Sequence, residues 1–543
     1  MRIASFLSLL LVFEVAHAQT LPSIPLKMDS LFKGYNQSAG PGCAVAIIQN
    51  GQVIFSKGYG MGNLEYTIPV TSKTVFDVAS LAKQFTGFAI STLVQEGKIT
   101  LSDDIRKYLP ELPRFAQTIT IGHLVHHTSG IRDWPEALMA AGWRYSELCS
   151  FQDIMHMVKN QRELDFVPGT EESYSNSGYN ILAALVEKVS GQTFPAWTSE
   201  HIFKPLQMTS TLFLDDNGRV IPNLAYSYYS NQDIFLKSTD VLTAYGSSSL
   251  YTSLEDMAKW VIHFQQALET KDPVFIRMLD TGKLNNGEKV SYGFGLETGT
   301  YNGYSTIVHT GAWAGYRTII RNFPDEKLSV IILSNGDDNS INNQYMAKVV
   351  SLFLTDKTKP STPVPTITSV KVNPERLKKY VGLYKWRPGE VHISLEKDTI
   401  RFQFIGEDSY PTIALNDSTF MLTVAGLPIV FHQSKGGAVN SFTFKDRLGK
   451  KFTPHSASAD ELKTYVGTYF SQELQAEYTV GIQANKLVVR HFRRGDFPMS
   501  SNMKDEFTGD LGVVRFIRNN RQQVRGFNLS GERVRNIYFD KKH

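Results

Sequence analysis

The chain has 543 residues, of which 42% are hydrophobic and 12% aromatic; this exceeds one ordinary domain and supplies ample material for packed cores. Its 56 basic and 52 acidic residues leave a formal charge of +4, too even a balance to bring nucleic acid or a membrane surface to the protein. The locally basic stretch from Lys486 to Lys542 reads as a solvated face, with a polyanion or membrane contact as its alternative.

Arg2, the apolar run from Phe6 to Phe13 and Ala16-His17-Ala18 before Gln19 form the pattern of a secretory signal over residues 1–18, so the chain is expected to be exported, periplasmic or secreted. No cysteine stands at that junction to take a bacterial-type lipid anchor. No later apolar run approaches membrane-spanning length, so no integral membrane segment is expected after signal removal. Cys43 and Cys149 leave a disulfide open, and two buried thiols are the expected state.

Cys43 to Gln49 and Val53 to Tyr59 alternate as strands about Asn50-Gly51, a hairpin turn. The next stretch, VFDVASLAKQFTGFAISTLV from Val75 to Val94, places Leu81, Phe85, Phe88, Ala89 and Leu93 at helical spacing, with Gly97 as the C-cap. Residues three apart on a helix are neighbours, so the Lys83 amine comes within reach of the Ser80 hydroxyl and can take its proton. That is the S-x-x-K arrangement of serine acyl enzymes. Ser394 to Lys397 and Ser501 to Lys504 share the spacing but lie in strand-like surroundings. Ser80 alone opens a long apolar helix.

Ile119 to Asp133 (ITIGHLVHHTSGIRD) reads as a short helix ending in a Ser-Gly turn. His123, His126 and His127 lack the carboxylate or cysteine that would complete a metal set, so they are expected to pack and hydrogen-bond, and no metal is expected. In Phe166 to Gly191 the Pro168-Gly169 turn leads into Tyr174-Ser175-Asn176, whose polar groups stand at the mouth of a helix carrying Leu182, Leu185, Val186 and Val189. A second Tyr-Ser-Asn, Tyr229 to Asn231, lacks that frame. From Tyr292 the pattern turns to strands, expected at Ser305 to His309, Gly315 to Asn322 and Leu328 to Leu333, closed by a helix from Asn342 to Leu354. These strands should join the Cys43 hairpin in one sheet, with the intervening helices as a separate lobe, giving an α+β domain over residues 19–355.

Asp356 to Ser369 is rich in Pro, Ser and Thr and reads as an extended linker, placed at 356–367. Beyond it the chain repeats. Leu377-Lys378-Lys379-Tyr380-Val381-Gly382-Leu383-Tyr384 returns as Leu462-Lys463-Thr464-Tyr465-Val466-Gly467-Thr468-Tyr469, and the same offset of 85 maps Phe431 onto Phe516, Val439 onto Val524 and Phe442 onto Phe527. The duplication divides the remainder into residues 368–455 and 456–543, each a small antiparallel β-barrel.

With Ser80-Leu81-Ala82-Lys83, Tyr174-Ser175-Asn176 and His309-Thr310-Gly311 in that order, the first 355 residues resemble the class C β-lactamase family of penicillin-recognising serine hydrolases. HLVHHTSGIRD, VPGTEESYSNSGYNIL, FKPLQMTST, SSSLYTSLEDM and HTGAWAGY are similar to that family's phrases. The two repeats resemble the lipocalin-like barrels appended to D-aminopeptidases and related exported members. The resemblance implies a serine β-lactamase/DD-peptidase-like sheet flanked by helices, a helical lobe, and two antiparallel barrels.

It also implies that Ser80 attacks an amide or ester carbonyl and forms an acyl enzyme, while Lys83 and Tyr174 share the proton work, either being open as the base. Asn176 would bond the substrate amide and the lysine. The strand of His309, Thr310 and Gly311 would flank the substrate, and the backbone N–H groups of Ser80 and Ala312 would form the oxyanion hole. His309 departs from the lysine usual among β-lactamases and D-Ala-D-Ala peptidases. Histidine, with a reference pKa of about 6.5, is mostly neutral at pH 7, which favours aminopeptidase or esterase relatives over enzymes of penicillins or carboxylate-ended peptides.

The expected function is therefore an exported serine hydrolase of small amides or esters, D-amino-acid peptides or amides being favoured. A β-lactamase and a catalytically silent penicillin-binding-like sensor or scaffold are the alternatives. The expected partner is a small-molecule or peptide substrate; no metal or organic cofactor is called for, and the oligomeric state is left open. The barrels are expected either to bind an apolar ligand or cell-wall piece or to shape the active site by sending a loop into it, and Gly406 to Tyr410 and Arg493 to Phe497 are the candidate loops.

Overall fold

The computed structural model describes residues 23–35, 39–232, 234–239, 241–358, 370–386, 389–404, 409–423, 427–434, 436–444 and 447–542. The expected secretory signal and most of the expected linker lie outside the described residues.

Alternation in the N-terminal hairpin and in the strands after Tyr292 resolves into one six-stranded antiparallel sheet. Its order is Glu297–Tyr301, Tyr304–Trp313, Tyr316–Phe323, Leu328–Ser334, Cys43–Gln49, Gln52–Tyr59. Asn50 and Gly51 both take the positive φ that a tight hairpin turn requires, 51° and 73°. Cys43–Gln49 then pairs with Leu328–Ser334 from Cys43↔Ser334 to Gln49↔Leu328, joining the two ends of the domain.

This strand is buried on both faces. Ala44, Ala46 and Ile48 face the large core shared with the helical lobe. Cys43, Val45 and Ile47 pack with Met28, Phe32, Met346 and Val349 on the other side. Cys43 and Cys149 are free, buried thiols.

Two expected elements differ in length. The strand expected to end at His309 continues to Trp313, although Thr310-Gly311-Ala312 carries no apolar alternation to announce it. The closing helix is shorter than Asn342 to Leu354, covering Gln344–Val350. Pairing of Tyr304–Trp313 with Glu297–Tyr301 ends at Val308↔Glu297, whereas pairing with Tyr316–Phe323 runs on to Trp313↔Tyr316. Residues 309–313 thus present one strand edge toward the turn that carries Ser80.

Each C-terminal repeat closes into an eight-stranded antiparallel barrel. The copies share their internal bonds: Tyr384 Oη donates to the Tyr380 carbonyl at 2.7 Å, and Tyr469 Oη to that of Tyr465 at 2.6 Å. Phe431 pairs with Phe442 as Phe516 pairs with Phe527. Buried aromatic side chains, among them Tyr380, Tyr384, Phe402 and Phe442, fill the first barrel, so its interior is a packed core.

The second barrel's core, including Tyr465, Tyr478 and Phe539, is continuous with that of the N-terminal α+β domain, while the first barrel's is separate. Tyr478 Oη donates to the Ala140 carbonyl at 3.1 Å. Gly142, at φ 96°, lets the His491 ring approach so closely that a Cβ would lie 2.1 Å from it. Between these bodies the Arg132 guanidinium is fully buried, with Glu473 Oε1 at 2.8 Å, Asp165 Oδ1 at 3.3 Å and the Arg535 carbonyl at 2.8 Å.

Candidate active site

The turn that carries Ser80 is strained. Ala79 stands at φ 49°, a conformation that costs a residue with a Cβ about 1–2 kcal/mol, and its N–H donates to Asp77 Oδ1 at 2.7 Å. A 3₁₀ turn over Ala79–Ala82 then carries Ser80 into the helix Lys83–Gln95. Leu81, Phe85, Ala89 and Leu93 are buried, which fixes that helix against the lobe. The strand of His309 lies directly against the turn. A Cβ on Gly311 would sit 2.3 Å from the Val78 carbonyl oxygen and 2.2 Å from Thr318 Oγ1, so only glycine allows the approach. Ser175 caps the helix Asn176–Ser190, accepting from Gly178 N at 3.2 Å, and thereby presents Asn176 at its mouth.

Around Ser80 the groups converge. Lys83 is fully buried, with Nζ 3.0 Å from Ser80 Oγ, 2.8 Å from Asn176 Oδ1 and 2.7 Å from the Ser247 carbonyl oxygen. Nζ also lies 4.8 Å from the centre of the Tyr174 ring. The Tyr174 hydroxyl faces the Ser80 side chain. Burial pushes the Tyr174 phenol above the usual tyrosine range, so it holds its proton. Burial drives Lys83 the other way, well below the ordinary lysine range, against the opposing pull of Asp133.

His309 Nδ1 bonds the Thr310 carbonyl at 2.7 Å and its Nε2 lies 2.7 Å from Tyr292 Oη. Burial is the main cause that pulls its pKa down to about 3. The ring is therefore neutral, donating from Nδ1 and accepting at Nε2. Trp313, one residue past Ala312, packs with Trp134, Trp143 and Tyr145 at ring separations of 5.8, 6.4 and 5.5 Å, an aromatic wall beside the strand edge.

Ser80, Lys83, Tyr174, Asn176 and the His309-Thr310-Gly311-Ala312 strand are thus brought to one place. The other serine-lysine pairs stand on barrel strands, where Ser501 Oγ donates to the His455 carbonyl at 2.6 Å. Tyr229 to Asn231 lies on the hairpin Tyr228–Asn231 and Ile234–Lys237. His126 Nδ1 bonds the Tyr292 carbonyl at 2.9 Å, and His127, which packs on the Tyr174 ring at 4.3 Å, accepts from Ser175 N at 3.1 Å. Among the described residues no three His, Cys, Asp or Glu side chains are placed to hold a metal ion, and no helix is long and apolar enough to cross a membrane.

Four site residues escaped the sequence: Asp133, Ser247, Tyr292 and Arg533. Asp133 and Ser247 stand within phrases already singled out, HLVHHTSGIRD and SSSLYTSLEDM, and Tyr292 opens YGFGLE, where the pattern turns to strands. Arg533 comes from the second barrel, and here the expectation is corrected. Arg493 pairs with Glu147 at 2.5 Å and Arg494 reaches the Met139 carbonyl at 3.1 Å, so that loop grips the lobe. The segment entering the site is 531–536, and it places the Arg533 guanidinium 5.2 Å from the centre of the Tyr174 ring and 3.3 Å from Asp133 Oδ2. Residues 405–408 of the other expected loop lie outside the described residues.

Residues 28–352 match the family model described as Beta-lactamase. A D-aminopeptidase of Gluconobacter oxydans is 28% identical over 297 residues, 54% of this chain and 56% of that protein, so the chain spans little more than half of that relative's length. Penicillin-binding protein 4* of Bacillus subtilis is 25% identical over 450 residues, 77% of this chain and 96% of the relative. Among solved structures, the octameric penicillin-binding protein homologue from Pyrococcus abyssi superposes with a TM-score of 0.55 at 21% identity, covering 88% of this chain and 99% of that one, a likeness of fold. With more than half of its length matched by the family model, and its serine, lysine, tyrosine and asparagine gathered at the strained turn, the chain belongs to the beta-lactamase family.

Proposed function

We propose that the protein is an exported serine hydrolase that cleaves amide or ester bonds of small substrates through an acyl enzyme on Ser80, with D-amino-acid peptides and amides its favoured substrates. The observation that carries this reading is the set of bonds around Lys83. An uncharged amine has two N–H donors and one lone pair. Asn176 Oδ1 and the Ser247 carbonyl take the donors, and the lone pair then faces Ser80 Oγ at 3.0 Å. This arrangement supports Lys83 as the acylation base, with Tyr174, holding its proton, as the donor toward the departing amine or alcohol.

In acylation Ser80 Oγ bonds the substrate carbonyl carbon and its proton passes to Lys83 Nζ. The oxyanion is held by the N–H groups of Ser80 and Ala312, and collapse expels the leaving group with a proton. Water then cleaves the ester, one of its protons restoring Ser80, and the proton held on Lys83 returns to Tyr174. The neutral His309 offers no fixed cation to a substrate carboxylate, and the charge of Arg533 is taken up by Asp133, which supports a substrate ending in an amide or ester. The D-aminopeptidase relative supports the D-configuration. The pattern of Arg2 to Ala18 supports export.

The experiment is a panel of D- and L-aminoacyl amides, short esters and nitrocefin, run with the parent and with Ser80→Ala. Turnover of D-aminoacyl amides that falls by at least about 10⁴-fold in Ser80→Ala is expected. Turnover of nitrocefin alone would make the protein a β-lactamase, and turnover of nothing in the panel would favour a silent binding protein.

A further inference from the structure

A buried carboxylate stands behind the proposed base. Asp133 accepts from Asn176 N at 2.7 Å and from Asn176 Nδ2 at 3.2 Å, and Asn176 Oδ1 in turn receives Lys83 Nζ. An unopposed carboxylate one side chain away from a buried amine favours the ammonium form, which has no lone pair for the Ser80 proton. The group opposing it comes from the far end of the chain, on the turn between Val524–Ser530 and Ile537–Lys541.

That turn is anchored at every step. Arg533 N donates to Glu136 Oε2 at 2.9 Å, and the Arg533 carbonyl accepts from Asp133 N at 3.2 Å. Arg535 pairs with Glu171 at 2.9 Å, its N–H donates to Asp165 at 2.8 Å and its carbonyl receives the buried Arg132. In the first barrel Phe444 pairs with Arg447, and the corresponding span of sequence is residues 445–446 alone. In the second it is 530–536, between Leu529 and its partner Ile537. The insertion is where Arg533 sits.

We propose that Arg533 is a positioning residue for the acylation step: by pairing with Asp133 it takes up the carboxylate behind Asn176, so that the Lys83 amine stays uncharged with its lone pair on the Ser80 hydroxyl. The inference rests on the assignment of Lys83 as base. The Ser80 proton moves to Lys83 Nζ and Tyr174 gives its own to the leaving group; Asp133 and Arg533 keep their protonation throughout. The groups facing Lys83 are the Tyr174 and Tyr179 rings, His127, His309, Asp133 and Arg533. Those facing Arg533 are Asp133, Glu532, Glu136, Tyr145 and Tyr174. Burial works against the Arg533 charge, and Asp133, Glu532 and Tyr174 together more than offset it. For Lys83 burial weighs most, Asp133 favours the ammonium and Arg533 disfavours it.

The test is the rate at which a fluorophosphonate probe labels Ser80, measured against pH in the full chain. The variants are Arg533→Gln, Arg533→Lys and the double variant Asp133→Asn/Arg533→Gln. The labelling rate falls as pH drops and Lys83 gains its proton. In Arg533→Gln that limb should move to higher pH by about one unit, about tenfold in rate on the limb, with the rates converging at high pH. Arg533→Lys should keep the parental limb, and the double variant should bring it back toward parental pH. A limb that stays in place, or a rate lowered equally at every pH, overturns the inference. Should Arg533→Gln fail to fold, the Arg533→Lys limb decides: a limb shifted as far as one unit despite the retained charge overturns it. An unlabelled parent would remove the hydrolase assignment itself, whereas a labelled parent with an unshifted Arg533→Gln limb removes this inference alone.

Discussion

A histidine in place of a fixed cation changes what a site can recognise, and His309 owes its neutrality to its surroundings. It is 3% exposed, its Nδ1 bonds the Thr310 carbonyl and its Nε2 faces Tyr292 Oη. An ordinary histidine titrates near 6.5. Burial beside Lys83 takes this one to about 3, so it carries no proton change between pH 5 and 8. Its replacement in His309→Gln should therefore lower kcat/KM by about tenfold or less while leaving the shape of the pH profile between pH 5 and 8 intact. Loss in the variant of an inflection near pH 6.5 that the parent shows would contradict this. The absence of lysine was legible in the sequence. Tyr292 was not, because YGFGLE reads as a strand by composition, whereas Gly295 at φ 76° turns the chain and brings the tyrosine inward.

At the scale of elements, the serine helix, the asparagine helix and the hairpin were legible because each carries its own period and its own cap or turn. The strand edge at 309–313 was not, because Gly311 is chosen for close approach to Val78 rather than for strand propensity. The loop entering the site was misplaced for a related reason. A turn's length and glycine content say that it protrudes, not what it meets, and the informative feature was the insertion by which the second copy departs from the first. What seats that loop is Arg132. Arg132→Ala would leave Glu473 and Asp165 as buried carboxylates without their guanidinium, at a cost of about 3–5 kcal/mol. Equilibrium denaturation should show this loss in the transition that includes the catalytic domain; a loss under about 1 kcal/mol would contradict the buried pair.

Across the whole molecule, the duplication and the two-part catalytic domain could be read from the chain, because repeats and sheet alternation are written locally. Which barrel docks could not, since the interface is made from single positions such as Gly142 and Tyr478 that no period marks. The continuous core predicts that the catalytic domain and the second barrel unfold together, while the first barrel, with its own aromatic core, unfolds in a separate step. Hydrogen exchange followed by peptide mapping along a denaturant series checks this: one protection midpoint should cover residues from both 43–350 and 459–541, and another residues 382–452. The central claim is that a buried amine makes Ser80 a nucleophile, and its most direct measurement is mass spectrometry of the intact chain after exposure to an activated phosphonate. One adduct, mapped to the peptide carrying Ser80 and missing in Ser80→Ala, is the predicted result; a folded parent that gains no adduct, or gains it on another residue, would contradict the account.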